Sequence, residues 1–80
     1  MLDLEEFRVW LSKNTSYSDA VIGDIVCRMR RANSILEWDG QETYLYYLGE
    51  NDGFKALSMS VRSQLRKAVK LYKSFCESKA

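Results

Sequence analysis

The chain contains no histidine and no proline, and its only cysteines are Cys27 and Cys76. Without histidine it lacks the commonest zinc ligand and the commonest general base near neutral pH. Two cysteines so far apart do not make a metal-ligand spacing, so neither a metal nor a cofactor is expected. Both thiols read as free filler at the margins of a core, and a disulfide between them stays open. No Ser/His/Asp set, glycine-rich phosphate loop or spaced carboxylate pair with a pocket is visible, so no catalytic residue is assigned and an enzyme is not expected. No apolar run approaches the length of a membrane span. The N-terminus, interrupted by Asp3, Glu5 and Glu6, lacks the apolar run of a secretory signal. No membrane contact and a reducing, cytoplasmic setting are therefore the expectation.

What is present is a single-domain length of 80 residues, 46% hydrophobic and 29% charged, with a net charge of +1. That total implies no partner, but the distribution of charge does. Residues 1–27 carry Asp3, Glu5, Glu6, Asp19 and Asp24 against Arg8 and Lys13. Residues 37–52 carry Glu37, Asp39, Glu42, Glu50 and Asp52 and no base. Residues 53–76 carry Lys55, Arg62, Arg66, Lys67, Lys70 and Lys73 and no acid. Segregation of this kind builds a local positive field on a nearly neutral molecule.

Strand-like alternation is scarce, and helical periodicity recurs in nearly every segment, which predicts an all-α domain, a compact bundle of four to five helices. A first helix over residues 3–13 has Asp3 as its cap and Leu4, Phe7, Trp10 and Leu11 as its apolar stripe. A second starts near Ser18 and presents Val21, Ile22, Ile25, Val26, Met29, Ala32 and Leu36 at amphipathic spacing. Its Arg28, Arg30 and Arg31 are close in sequence but do not share one side. The Trp38-Asp39-Gly40 stretch ends it. A short third helix, about Glu42 to Gly49, points Tyr44, Leu45 and Leu48 inward, whereas Tyr46 and Tyr47 cannot both follow. Asn51-Asp52-Gly53 is a turn, after which Phe54, Ala56 and Leu57 form a brief helical plug. The expected core is Phe7, Trp10, Leu11, Ile22, Ile25, Met29, Leu45, Leu48, Phe54, Leu65, Val69 and Tyr72.

The closing stretch from Ser60 to Phe75 reads as a helix with Ser60 as its cap. Val61, Leu65, Ala68, Val69, Tyr72 and Phe75 form its apolar face. At about 100° per residue, Arg62, Arg66, Lys70 and Lys73 fall within an arc of about 80° beside that face, with Lys67 about 60° beyond the arc. These cations are candidate phosphate contacts, extended by Arg28 or Arg31 from the second helix and by the hydroxyls of Ser60 and Ser63. Arg62 and Arg66, near the helix start, are also candidates to reach base edges. A solvated, solubilising face is the plain alternative.

The run Ala68-Val69-Lys70-Leu71-Tyr72-Lys73-Ser74-Phe75, preceded by a small third element, an arginine-bearing second helix and Glu6-Phe7-Arg8-Val9-Trp10-Leu11, resembles the N-terminal core-binding (SAM-like) domain of tyrosine recombinases of the phage-integrase type. Family members close this domain with an Ala-Leu-Arg-x-aromatic-aromatic-x-aromatic run, which Ala68, Val69, Lys70, Tyr72 and Phe75 follow with small changes. The chain departs from the pattern at Val21 and Ile25, where threonine and tyrosine are usual, and at Leu65, one position early. The resemblance implies a helical module that grips double-stranded DNA from one side, with its second and last helices against the duplex and Lys70 where the family often has arginine. It further implies a covalently linked catalytic recombinase domain, with the isolated domain monomeric. The alternative is a SAM-like protein–protein interaction domain whose acidic regions dock on a basic partner. A tyrosine nucleophile is rejected, because its chemistry needs an Arg/His/Lys constellation and histidine is absent.

Overall fold

The computed structural model of the chain describes residues 2–79. Five helices follow one another: α1 (Leu4–Asn14), α2 (Asp19–Ile35), α3 (Tyr44–Glu50), α4 (Asp52–Lys55) and α5 (Met59–Lys79). No strand occurs among the described residues, so the all-α bundle expected from the periodicity is what forms. The Cα trace measures 34 × 27 × 15 Å. At 1.5 Å per residue α5 is about 30 Å long, close to the longest dimension of the molecule. The most extensive packing is between α2 and α5, followed by α1 against α2.

Local chemistry accounts for each helix start. Asp3 caps α1 by accepting the Glu6 amide at 3.2 Å, and Ser18 caps α2 by accepting the Val21 amide at 3.3 Å. Asn51 begins α4, its Oδ1 accepting the Gly53 amide at 2.8 Å and the Phe54 amide at 3.3 Å. A Cβ at position 53 would sit 3.1 Å from that same oxygen, which is why a glycine suits the site. Gly40 has a positive φ of 74°, which lets the chain reverse between α2 and α3 without the penalty a side chain would bring. The cap of α5 differs from the expectation. Helix α5 begins at Met59, and Ser58, not Ser60, accepts the Val61 amide at 3.3 Å. Ser60 lies one position inside the first turn and is exposed. In a Ser-x-Ser sequence both hydroxyls have suitable spacing, and the backbone entry angle selects between them.

The core is one cluster. Phe7 and Leu11 of α1, Ile22, Ile25, Val26, Met29 and Ala32 of α2, Tyr44 and Leu48 of α3, Phe54 of α4, and Leu65, Ala68, Val69, Tyr72 and Phe75 of α5 are all buried. Trp10 and Leu45, expected inside, are only half-buried and pack on the margin. Val21 remains exposed while its neighbour Ile22 is buried, because it lies about 100° around α2 from Ile22, at the edge of the apolar face. Of the cysteines, Cys76 is at a core margin as expected, whereas Cys27 is exposed. Its position, about 140° around α2 from Ile22, places it on the open hollow beside α5 and not in the core. Both thiols are free.

Two tyrosine hydroxyls tie distant segments. The Tyr72 hydroxyl of α5 accepts the Asp3 amide at 2.9 Å, joining the last helix to the start of the first. The Tyr44 hydroxyl donates to the Leu36 carbonyl at 2.6 Å, closing the end of α2 onto α3. Burial, with Asp39 nearby as a smaller contribution, pushes Tyr44 up to about 12, so it stays a neutral donor well above neutral pH.

Leu65 is buried between α5 and its neighbours, and Leu65→Ala is expected to cost about 2–5 kcal/mol. Urea melts that move by less than about half of one kcal/mol would contradict this assignment of the α5 face. The cap makes a separate prediction. Ser58→Ala should destabilise by about 1 kcal/mol, while Ser60→Ala stays within about 0.5 kcal/mol. Equal losses in the same melts would show that the helix starts elsewhere.

Candidate nucleic-acid interface

The basic residues of α5 are divided by the packing of the helix into groups with different surroundings. On the edge toward α3 and α4, the Arg66 guanidinium lies over the Phe54 ring, 5.1 Å from its centroid. A Cβ on Gly49 would stand 3.7 Å from the same guanidinium, so Arg66 covers the junction of α3 and α4. Lys73, on the same edge, has Glu42 at 4.0 Å. Arg62 is half-buried, and its Nε is shielded from solvent without a hydrogen-bond partner. The arc read from helix geometry is therefore real, but three of its four members are drawn toward the protein, and it is not one free flank. The sequence hid this because Phe54 and Glu42 are distant in the chain.

The outward ridge of α5 is different. Ser63, Lys67, Lys70 and Ser74 are exposed, and spacings of four and three residues align them along the helix. Lys67 leans toward the α1–α2 connection, with its Nζ 5.6 Å from the Tyr17 ring centroid. Lys70 has no ion-pair partner among the described residues.

On the far side of this ridge, α5 meets α2 across an open hollow of about 220 Å³. Arg28 and Arg31 line it from α2 together with Asp24 and Cys27, and Val61, Gln64 and Leu65 line it from α5. Arg28 is half-buried and Arg31 exposed, and neither forms an ion pair among the described residues. The expectation that α2 brings positive charge close to α5 thus matches the geometry. It does so on the bank opposite Arg66 and Lys73. Arg30, about 100° around α2 from Arg31, belongs to another side, as its place in the sequence implied.

Ser63 and Ser60 are exposed beside the ridge, and Gln64, which sequence reasoning passed over, lines the hollow between the two helices. Its signal was available, since Gln64 lies three residues after Val61 and three before Lys67, on the α2-facing side. The assembled surface is a seam between the two most extensively packed helices, where Arg28 and Arg31 stand on one bank of the hollow and Gln64 on the other, with Ser60, Ser63, Lys67 and Lys70 exposed along α5 beyond it. Such a surface offers guanidinium, ammonium, amide and hydroxyl donors, and Asp24 is the one carboxylate among the described residues that line the hollow. Its natural complement is a row of anionic oxygens.

No helix is long and apolar enough to cross a membrane, and no group of histidine, cysteine and acidic side chains suited to a metal ion occurs among the described residues. Comparison of the chain with protein-family models, curated proteins and solved structures found no match.

The division of the cations makes a stability prediction. Arg66→Ala removes the cation from Phe54 and should destabilise by about 0.5–1 kcal/mol, whereas Lys70→Ala should stay within about 0.5 kcal/mol. Thermal and urea melts of the two variants check this. A larger loss for Lys70→Ala would contradict the partition.

Proposed function

We propose that this chain is a double-stranded DNA-binding module that works without catalysis of its own, in the manner of the core-binding domain of a phage-integrase-type recombinase. The observation that carries the reading is the α2–α5 hollow, which Arg28 and Arg31 line opposite Gln64, with Lys67 and Lys70 exposed along α5 beyond it; none of these four cations has an ion-pair partner among the described residues. On this reading Arg28 and Arg31 take phosphates as forked donors, Lys67 and Lys70 act as point charges along the backbone, and Ser60, Ser63 and Gln64 supply short-range hydrogen bonds. Arg62, Arg66 and Lys73 then serve the edge of the interface more than its centre, and Arg66 is held on Phe54 and not extended toward base edges. Affinity arises mainly from counterion release, so it is strongly salt-dependent and largely indifferent to sequence. A second DNA-gripping domain joined by a linker would raise the effective affinity without changing this face.

The test is a titration of fluorescent duplex DNA at low salt with the wild-type chain and with Arg31→Glu combined with Lys67→Glu. Neither side chain lies in the buried core, so the melting temperature should hold within a few degrees. Affinity should fall by at least about tenfold, because removed phosphate contacts lose their released counterions. Lys70→Gln should lower the slope of log K against log salt by about one unit. Equal binding by wild type and the double variant would overturn the proposal and leave the seam a solvated surface.

A further inference from the structure

The stretch without a base, residues 37–52, supplies the connection from α2 to α3 and then α3 itself. Its aromatic residues do not all go inward. Tyr44 is buried, but Tyr46 and Tyr47 are 65% and 55% exposed and meet edge-to-face at 5.3 Å between ring centroids. Large aromatic side chains held together in water are costly to leave uncovered and mark contact surfaces more often than solvated ones. Within α3, Tyr46 and Glu50 are four residues apart and so lie along one side, and Glu42 stands in the turn that leads into the helix. Glu42 also lines a recess of about 390 Å³ with Trp38, Gly40, Lys73, Cys76 and Glu77. An acidic ridge with exposed rings therefore runs into a concavity that has an indole in its wall.

We infer that the Trp38 recess and the Tyr46–Tyr47 face of α3 together bind an arginine-rich segment of a partner protein. Charge complementarity selects the occupant. Glu37, Asp39 and Asp52 are exposed, Glu42 is exposed with Lys73 at 4.0 Å, and Glu50 has Lys55 at 3.4 Å, which leaves the acids in excess over the nearby bases. A guanidinium suits the site better than an ammonium, because its plane stacks on an indole or phenol while its edge donates to a carboxylate. The rings and acids concerned belong to α3 and the α2–α3 connection, and α5 contributes Lys73, Cys76 and Glu77 to the recess, so the surface shares no residue with the α2–α5 hollow and touches the proposed DNA face only at Lys73. An acidic partner is disfavoured by the same charges. A second copy of this chain would have to bring its own cationic seam, which is a different contact with a different readout.

The experiment titrates the folded chain at physiological salt with octa-arginine and octa-lysine peptides, read by calorimetry and by amide chemical shifts. Octa-arginine should perturb residues 38–50 and bind several-fold more tightly than octa-lysine. Tyr46→Ala with Tyr47→Ala should weaken octa-arginine at least about fivefold, as expected for two lost cation–π contacts. Tyr46→Phe with Tyr47→Phe should stay within about twofold, since the ring face and not the hydroxyl is used. Duplex DNA binding by the double alanine variant should remain unchanged. Unchanged peptide binding by that variant would overturn the inference, as would shifts confined to the acids of α1. Loss of DNA binding in the same variant would assign the rings to the nucleic-acid face instead. A concentration-dependent dimer in sedimentation that the alanine variant abolishes would assign them to self-association, and either outcome ends the proposal.

Discussion

The structure depends on the Tyr72 side chain more than on any other single group. Its ring stands edge-on to Phe7 at 5.0 Å and to Trp38 at 5.4 Å, with Phe75 tilted against it at 5.4 Å. Its hydroxyl accepts the amide of Asp3 at 2.9 Å. One residue of α5 thereby fixes the start of α1, the α2–α3 connection and its own helix. In a domain this small, few core residues can do this, because the ratio of surface to volume leaves a thin interior. Aromatic rings supply the needed area with little rotamer entropy to lose. Tyr44 repeats the device at the end of α2, with its own ring 4.9 Å from Trp38. The two tyrosines thus flank one indole and join four parts of the chain.

Once α5 is anchored in this way, its rotation about its own axis is settled, and with it the environment of every cation it carries. Val69 and Leu65 face inward, so Arg66 and Lys73 turn toward α3 and α4, where Phe54 and Glu42 receive them. Lys67 and Lys70 are left on the outward ridge. The apolar contact between α2 and α5 then places Arg28 and Arg31 on the opposite bank. Packing and electrostatics are in this sense one arrangement. The core decides which cations are free to meet an external anion, and the proposed DNA surface is what remains after the protein has used the others.

The elements were largely legible in the sequence because each signal was local. Asp3, Ser18 and the Asn51-Asp52-Gly53 turn act over a few residues, and the apolar stripes of α1, α2 and α5 need only a helical period to be read. Val26, Ala32, Ala68 and Phe75 complete the core on those same faces, and Tyr44 does so from α3. What escaped was long-range or required a choice between local equivalents. Ser58 and Ser60 are equally plausible caps until the entry of the chain is known. Arg66 looks free until Phe54, twelve residues earlier, is seen beneath it. The basic arc was correct as an angle on a helical wheel, but a wheel has no neighbours, so it could not divide the cations between two banks.

The proposed likeness to the core-binding domains of tyrosine recombinases is one of residue-class patterns in this sequence, and the structure shows the all-α class. The DNA reading itself stands on the α2–α5 seam. Its most direct test is a chemical-shift map of the labelled chain with a short duplex at low salt. The account predicts that the amides and side-chain signals of Arg28, Arg31, Ser63, Gln64, Lys67 and Lys70 move together, and that the shifts fade as salt is raised. Shifts centred on α1 or on the Tyr46–Tyr47 face, or none at all at low salt, would contradict it.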